Sequence, residues 1–161
     1  MLLLLVRHAD AGERDPAQWP DDTLRPLTKK GRKVHAKVAR ALREAGVVPE
    51  IVLTSPWLRA AQTAEIVVQG LGLAAAVPCP ALAADPDLAV LDAAVGPRKG
   101  KTVVALVGHS PWIEELAALL LAGSANGVAV AFPKSGVLCV ETDRVEARGA
   151  ALRFFLRPKM L

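Results

Sequence analysis

The chain has 161 residues, of which 52% are hydrophobic, and its formal net charge is +4. This length allows one domain, residues 1–161, to bury a sizeable core without metal or disulfide bridges. The longest apolar runs are too short to cross a bilayer, and the N-terminal leucines lack a basic leader and a cleavage site, so we expect a cytoplasmic protein without a membrane partner.

The cysteine and aromatic content argues against two further classes of protein. Cys79 and Cys139 lie far apart, without Cys-x-x-Cys spacing or regularly spaced histidines, which indicates buried thiols and no metal site. Aromatic residues make up 4% of the chain and tyrosine is absent, which leaves few rings for stacking bases. The positive charge therefore favours acidic or phosphorylated partners over nucleic acid, and we expect no cofactor. The sequence does not indicate the oligomeric state.

The N-terminal stretch is fully apolar until it ends on Arg7 and His8. Such a run without alternation predicts a parallel strand covered on both faces by helices. Ligands of these sheets bind at the carboxyl ends of the strands, where a histidine can act as a nucleophile and an arginine can hold a phosphate. Because Arg-His alone is also common at surfaces and in cores, its interpretation depends on the rest of the chain.

A charged loop, Ala9–Leu27, should overhang the end of this strand, and Arg25 within it either leans over a bound phosphate or is a solvated loop residue. Thr28 is a suitable N-cap for a helix that ends at Gly46. The outer face of that helix is basic, with Lys29, Lys30, Arg32, Lys33, Lys37, Arg40 and Arg43. We interpret this row as a solvated face, with a docking surface for an acidic partner as the alternative.

The second predicted strand, Ile51–Thr54, is followed by Ser55-Pro56, a pattern typical of a helix N-cap and first helical position. Arg59 then falls in the first helical turn. Helix N-termini attract anions, so the arginine and the helix dipole would favour the same phosphate. An exposed helix arginine is the alternative, but the coincidence of strand end and helix cap favours the phosphate site.

A third short strand is predicted over 74–77, and Pro86 is expected to open the next helix. Asp85 lies in the loop between them. It is our candidate for the acid that protonates a leaving group, although an N-cap role explains its position equally well.

The fourth predicted strand, over 102–107, leads into His109 and Ser110-Pro111, a second predicted cap and helix start. Arg7, His8, Arg59 and His109 should therefore meet at one edge of the sheet. After this helix, Leu138 and Val140 lie at alternating positions, as do Leu152, Phe154 and Leu156. That alternation predicts a closing antiparallel hairpin.

Two histidines and two arginines, without a metal cluster or a Walker loop, suit phosphoryl transfer to an imidazole. His8 must be neutral to attack phosphorus, and Arg7 and Arg59 would lower its pKa. His109 would donate to a phosphoryl oxygen. Water would then hydrolyse the phosphohistidine and return the free enzyme.

These motifs together resemble the histidine phosphatase (phosphoglycerate mutase-like) superfamily, and most closely its bacterial phosphohistidine phosphatase subgroup. The resemblance rests on Arg7-His8-Ala9, Leu24-Arg25-Pro26-Leu27-Thr28-x-x-Gly31, Ser55-Pro56-x-x-Arg59-Ala60-x-Gln62-Thr63 and Gly108-His109-x-Pro111. It implies an α/β fold, a three-layer α/β/α sandwich with a mostly parallel central sheet and the C-terminal antiparallel hairpin. It also implies that His8 is the phosphorylated nucleophile and that Arg7, Arg59, His109 and Arg25 bind the phosphate.

The chain departs from the superfamily pattern in one respect. Members that act on sugar phosphates and glycerates usually carry a glutamate donor after the third strand, but no glutamate occurs between Glu65 and Glu114. Either Asp85 substitutes, or the reaction needs no strong donor, as with a labile phosphohistidine bond. We therefore expect a metal-independent phosphatase acting on phosphohistidine of proteins such as phosphorelay domains. The alternatives are a hydrolase of small phosphomonoesters and a non-catalytic phosphate-binding module.

Overall fold

The computed structural model describes residues 1–98, 100 and 102–161. The strands are β1 Leu2–Arg7, β2 Ile51–Thr54, β3 Val77–Pro78, β4 Val103–Gly108, β5 Val137–Glu141 and β6 Ala151–Leu156. The helices are α1 Lys29–Glu44, α2 Leu58–Leu71, α3 Leu88–Val95 and α4 Trp112–Ala122, with 3₁₀ turns at Asp22–Leu24, Pro80–Ala83 and Pro158–Met160. No helix within the described ranges is long and apolar enough to cross a membrane.

The six strands form one sheet in the order β3-β2-β4-β1-β5-β6. Strands β1 to β4 are parallel, whereas β5 runs antiparallel to β1 and β6 antiparallel to β5. The predicted mostly parallel sheet with a C-terminal antiparallel hairpin is therefore confirmed.

Helices cover both faces of this sheet, which explains the apolar run of β1. Leu3 and Leu5 pack in one cluster with residues of α3 and α4. Leu4 and Val6 pack in a second cluster with residues of α1 and α2. All four side chains are at most 1% exposed, because successive residues of a strand point to opposite faces. The three-layer α/β/α arrangement is confirmed.

Of the three predicted N-capping residues, one is correct and two are wrong. Thr28 caps α1, and its hydroxyl accepts from the Gly31 N–H at 2.9 Å. Ser55 does not cap α2, which begins at Leu58 without a side-chain cap, and Ser110 does not cap α4, which begins at Trp112. Both serine hydroxyls have other partners: Ser55 meets His109, and Ser110 donates to Glu114.

Three further boundaries differ from the prediction. The third strand is limited to Val77–Pro78 at the sheet edge, because alanines at 74–76 have little preference for extended structure. Pro86 does not open α3: Asp87 is the N-cap, and its carboxylate accepts from the Val90 N–H at 3.1 Å. The fourth strand begins one residue later than predicted and includes Gly108.

Candidate active site

The parallel register of β1, β2 and β4 aligns their carboxyl ends. His8 follows β1, Ser55 follows β2 and His109 follows β4. Two backbone hydrogen bonds extend this alignment beyond the strands: His8 N–H donates to the Gly108 carbonyl at 3.0 Å, and Ser55 N–H donates to the Val107 carbonyl at 2.9 Å. Residues more than a hundred positions apart thus share one edge of the sheet.

His8 is held in the tautomer that a nucleophile requires. Its Nδ1 lies 2.7 Å from the carbonyl oxygen of Ala9, an acceptor, so Nδ1 carries the proton and Nε2 keeps its lone pair. The Arg59 Nε–H donates to that Nε2 at 3.3 Å. Burial, more than any other factor, and the charges of Arg59 and Arg7 lower the pKa of His8 to about 4, although the hydrogen bond to the Ala9 carbonyl opposes the shift. The imidazole is therefore neutral at pH 7.

His109 lies beside His8, with ring centroids 5.1 Å apart. Its Nε2 is 2.8 Å from the Ser55 hydroxyl oxygen, which also accepts from the Trp57 N–H at 3.3 Å. Ser55 is fully buried, and Nε2 of His109 is the one acceptor that the described residues offer to its hydroxyl proton. The hydroxyl therefore donates to Nε2, which leaves the proton of His109 on Nδ1. That buried Nδ1 has no hydrogen-bond partner among the described residues. Burial, followed by the charges of His8 and Arg59, lowers the pKa of His109 to about 3.

Asp22 joins two of the predicted phosphate-binding arginines. Arg59, 5% exposed, donates from Nη1 to the Asp22 carbonyl at 2.8 Å, and the same nitrogen lies 3.3 Å from Oδ2 of Asp22. Arg25 donates from Nε to Oδ1 of Asp22 at 2.8 Å and from Nη1 to the Gly12 carbonyl at 2.8 Å. The hydrogen bond from Arg25 lowers the pKa of Asp22, and the charges of both arginines add to this effect.

The Arg7 guanidinium is held in place by a backbone carbonyl and a carboxylate. Its Nη1 donates to the Phe132 carbonyl and lies 3.9 Å from Oε1 of Glu114. Its Nε is buried and, in the part of the chain that the structure describes, has no hydrogen-bond partner. The side chain therefore keeps an unused donor next to His8 in the sequence.

Asp85 is the one predicted site residue that the structure leaves aside. Its side chain is exposed and, within residues 1–98, 100 and 102–161, it makes no hydrogen bond or ion pair. Its neighbours Ala84 and Pro86 line a small cavity that also reaches His109 and Trp112. The structure thus brings His8, Arg7, Arg59, His109 and Arg25 together. Asp85 lies outside this group, in the loop that lines the small cavity next to His109.

Two tryptophans border the site and were not anticipated from the sequence. The Trp57 ring centroid lies 4.5 Å from that of His109, and the Arg59 guanidinium lies 4.6 Å over the Trp57 ring. Trp112 meets His109 edge-on at 6.1 Å. The signal was present, because Trp57 is two residues before Arg59 and Trp112 is three after His109, but low aromatic content was interpreted only as an argument against base stacking.

Metal ligands do not cluster in the described residues: no three His, Cys, Asp or Glu side chains come together in a way that can hold an ion. Cys79 and Cys139 are buried free thiols that belong to different core clusters.

Comparison with known proteins places the chain in a family. The model of the histidine phosphatase superfamily (branch 1) matches residues 3–83, half of the chain, and this range contains His8, Arg25 and Arg59. The protein belongs to the histidine phosphatase superfamily. An uncharacterised Picosynechococcus protein is 47% identical over 66 residues, which cover 41% of this chain and only 39% of that relative.

Solved structures give the same fold over nearly the full chain. The protein histidine phosphatase SixA, complexed with tungstate, is 29% identical with a TM-score of 0.83, and the match covers 99% of each chain. A SixA-type protein from Agrobacterium tumefaciens is 21% identical, with a TM-score of 0.75 over 98% of this chain and 97% of its own. A phosphoserine phosphatase from Entamoeba histolytica is 15% identical, with a TM-score of 0.70 over 99% and 98%. The two likenesses below 25% identity show the shared fold alone.

Proposed function

We propose that this protein hydrolyses phosphohistidine on proteins through a phosphoenzyme formed on His8, without a metal ion. The observation that carries the proposal is the state of His8, a neutral imidazole whose Nε2 lone pair lies 3.3 Å from the Arg59 Nε. In-line attack on a phosphoryl group uses that lone pair, and the Arg59 Nε–H that it accepts would turn to a phosphoryl oxygen when the substrate binds.

In the first step His8 Nε2 attacks phosphorus, forming one P–N bond as the P–N bond of the substrate breaks. The leaving imidazole takes a proton from solvent. Positive charge then develops on the His8 ring, and the Ala9 carbonyl stabilises it through its 2.7 Å contact with Nδ1. In the second step water attacks the phosphorus, releases phosphate and returns neutral His8.

Two unused donors support the binding of an oxyanion at this place. Arg7 Nε and His109 Nδ1 are buried and lack hydrogen-bond partners among the residues described. Buried donors without partners are costly, and phosphoryl oxygens would satisfy both. We assign these two groups, with Arg59, to charge stabilisation in the transition state, where most catalysis of phosphoryl transfer arises.

The choice of phosphohistidine as substrate rests on the leaving group. The segment between Glu65 and Glu114 contains no glutamate, and Asp85 is exposed without a partner in the described chain. A labile P–N bond asks less of a general acid than an alkyl phosphate does. The 29% identity to a protein histidine phosphatase over 99% of both chains supports the same choice.

Arg25 and Asp85 have secondary roles in this proposal. Arg25 adds positive charge near the phosphate, and its partner Asp22 also contacts Arg59. Asp85 serves as a proton donor only for substrates with poor leaving groups. Asp85→Asn should therefore leave phosphohistidine hydrolysis nearly unchanged and slow alkyl ester hydrolysis.

The direct test is trapping of the phosphoenzyme. Incubation with a phosphohistidine peptide followed by rapid quenching should yield an acid-labile phosphoprotein from wild type and none from His8→Ala. His35→Leu is the matched control, because His35 is fully buried in α1 and makes no hydrogen bond to a described residue. Labelling that persists in His8→Ala contradicts the mechanism.

A substrate panel separates the alternatives predicted from the sequence. Higher kcat/KM on an alkyl phosphate than on a phosphohistidine peptide would identify a phosphomonoesterase. Tight binding of phosphate or tungstate without turnover of any donor would identify a non-catalytic binding module.

A further inference from the structure

A basic cleft lies behind the candidate active site and is not used by the proposed chemistry. Its volume is about 490 Å³. Four separate parts of the chain line it: Asp10 after β1, the start of α1, the segment around Lys134 and the segment around Pro158. The lining residues are Asp10, Lys30, Gly31, Val34, Pro133, Lys134, Ser135, Arg157, Pro158 and Lys159.

The floor of this cleft is continuous with the backbone that carries His8. Asp10 follows His8 by two residues, and its carbonyl accepts from the Thr28 N–H at 2.9 Å. On the other side, the Ser135 N–H donates to the His8 carbonyl at 3.2 Å. A ligand in the cleft would therefore lie next to the end of the catalytic strand.

Positive charge exceeds negative charge in the cleft. Lys134 pairs with Asp10, the one acidic residue of the lining. Lys30, Arg157 and Lys159 are exposed and make no ion pair with any residue that the structure describes. A concave surface lined by one sign of charge raises the local concentration of ligands of the opposite sign.

We propose that this cleft docks an acidic segment of the phosphorylated protein substrate, a role that rests on the proposed function. The basic row of α1, interpreted from the sequence mainly as a solvated face, contributes Lys30 to this surface. The apolar lining residues are Val34, Pro133 and Pro158, which are aliphatic. They suit contact with a peptide and offer no aromatic ring for stacking a base, which favours protein over nucleic acid.

Docking of the acidic segment in this cleft would change how fast and how tightly the substrate protein binds. Charged surfaces outside the reacting centre steer a partner and lower KM, whereas the chemical step on His8 remains the same. Substrates that lack an acidic segment should not benefit. The kcat/KM for an acidic substrate should also fall steeply with added salt.

The test compares two double variants of the full chain. Lys30→Glu/Lys159→Glu reverses charge in the cleft, and Lys37→Glu/Arg40→Glu makes the same change of charge on exposed residues of α1 outside it. Two synthetic phosphohistidine peptides serve as substrates, one with glutamates flanking the phosphohistidine and one with serines. We expect the cleft variant to lose about tenfold in kcat/KM, through KM, on the acidic peptide only. The control variant should lose less than about twofold.

A binding measurement keeps this proposal separate from the phosphatase proposal. The unphosphorylated acidic peptide, labelled for fluorescence anisotropy, should bind wild type and the control variant and bind the cleft variant about tenfold more weakly, whether or not any peptide is hydrolysed. Equal loss in both variants would overturn the proposal, because it would show an effect of net charge alone. A single-stranded oligonucleotide that binds the cleft more tightly than the peptide would also overturn it.

Discussion

The hydroxyl oxygen of Ser55 lies 2.8 Å from Nε2 of His109, at the carboxyl ends of two neighbouring strands. Because the described residues offer the proton of this buried hydroxyl no other acceptor, it donates to the imidazole and keeps the His109 proton on Nδ1. Ser55 is fully buried, so water cannot replace it. We conclude that Ser55 positions His109 rather than capping a helix.

Ser55→Ala should therefore lower kcat by about tenfold or more, with a smaller change in KM, because a wrong tautomer removes the donor facing the phosphoryl group. Thr54→Val is the matched control: Thr54 is a neighbouring buried residue whose hydroxyl donates to the Ser55 carbonyl and does not touch His109. Steady-state kinetics and a melting curve check both variants. An equal loss of kcat in Thr54→Val would mean that the effect is structural.

Asp22→Asn should strengthen anion binding. The Asp22 carboxylate partly neutralises Arg25 and Arg59, so its removal leaves more positive charge for the ligand. We expect the inhibition constant for tungstate or phosphate to fall about fivefold. Asp21→Asn is the control, because Asp21 accepts from Thr23 and contacts neither arginine. Weaker inhibition in Asp22→Asn would show instead that Asp22 mainly holds the arginines in place.

Gly31→Ala sets two effects against each other. Alanine is favoured over glycine inside a helix by about 1 kcal/mol. A Cβ at Gly31, however, would lie 2.2 Å from the backbone carbonyl oxygen of Asp10, which cannot move without shifting the segment after His8. We expect net destabilisation of about 1–3 kcal/mol and lower kcat. Urea unfolding measures the change in stability. Lys33→Ala, on the exposed face of α1, is the control. A more stable Gly31→Ala protein would contradict the steric argument.

Acid should destabilise the protein through its buried histidines. Burial lowers the pKa of His35 to about 4 from 6.5, and neither ring nitrogen has a hydrogen-bond partner within the described residues. Between these values the unfolded chain binds the proton and the folded chain does not, so the free energy of unfolding falls as pH falls through this window. Above pH 6.5 this loss is absent.

His35→Leu isolates the effect. Between pH 7.5 and pH 5 the variant should lose about 2 kcal/mol less unfolding free energy than wild type, because it has no ring to protonate. Urea titrations at the two pH values measure the difference. His8 and His109, whose pKa values are also lowered, remain in both proteins and cancel in the comparison. Identical pH dependence of the two proteins would contradict the prediction.

Local patterns were enough to predict much of this molecule. The apolar run of β1, the Thr28 cap and the C-terminal antiparallel hairpin were predicted from side-chain period and capping chemistry, and each is confirmed. The superfamily also followed from short motifs, because their residue types and spacing are specific when taken together. These features depend on residues close to one another in the sequence.

The partners of the site residues were decided only by the tertiary structure. Ser55 and Ser110 carry a strong capping signal, yet their hydroxyls go to His109 and Glu114. The bridge of Asp22 between Arg25 and Arg59, and the cleft that joins Lys30 to Lys159, likewise link distant segments. Which of two competing hydrogen bonds forms depends on strand register and burial. Both arise from the packing of the whole chain, so no local pattern contains them.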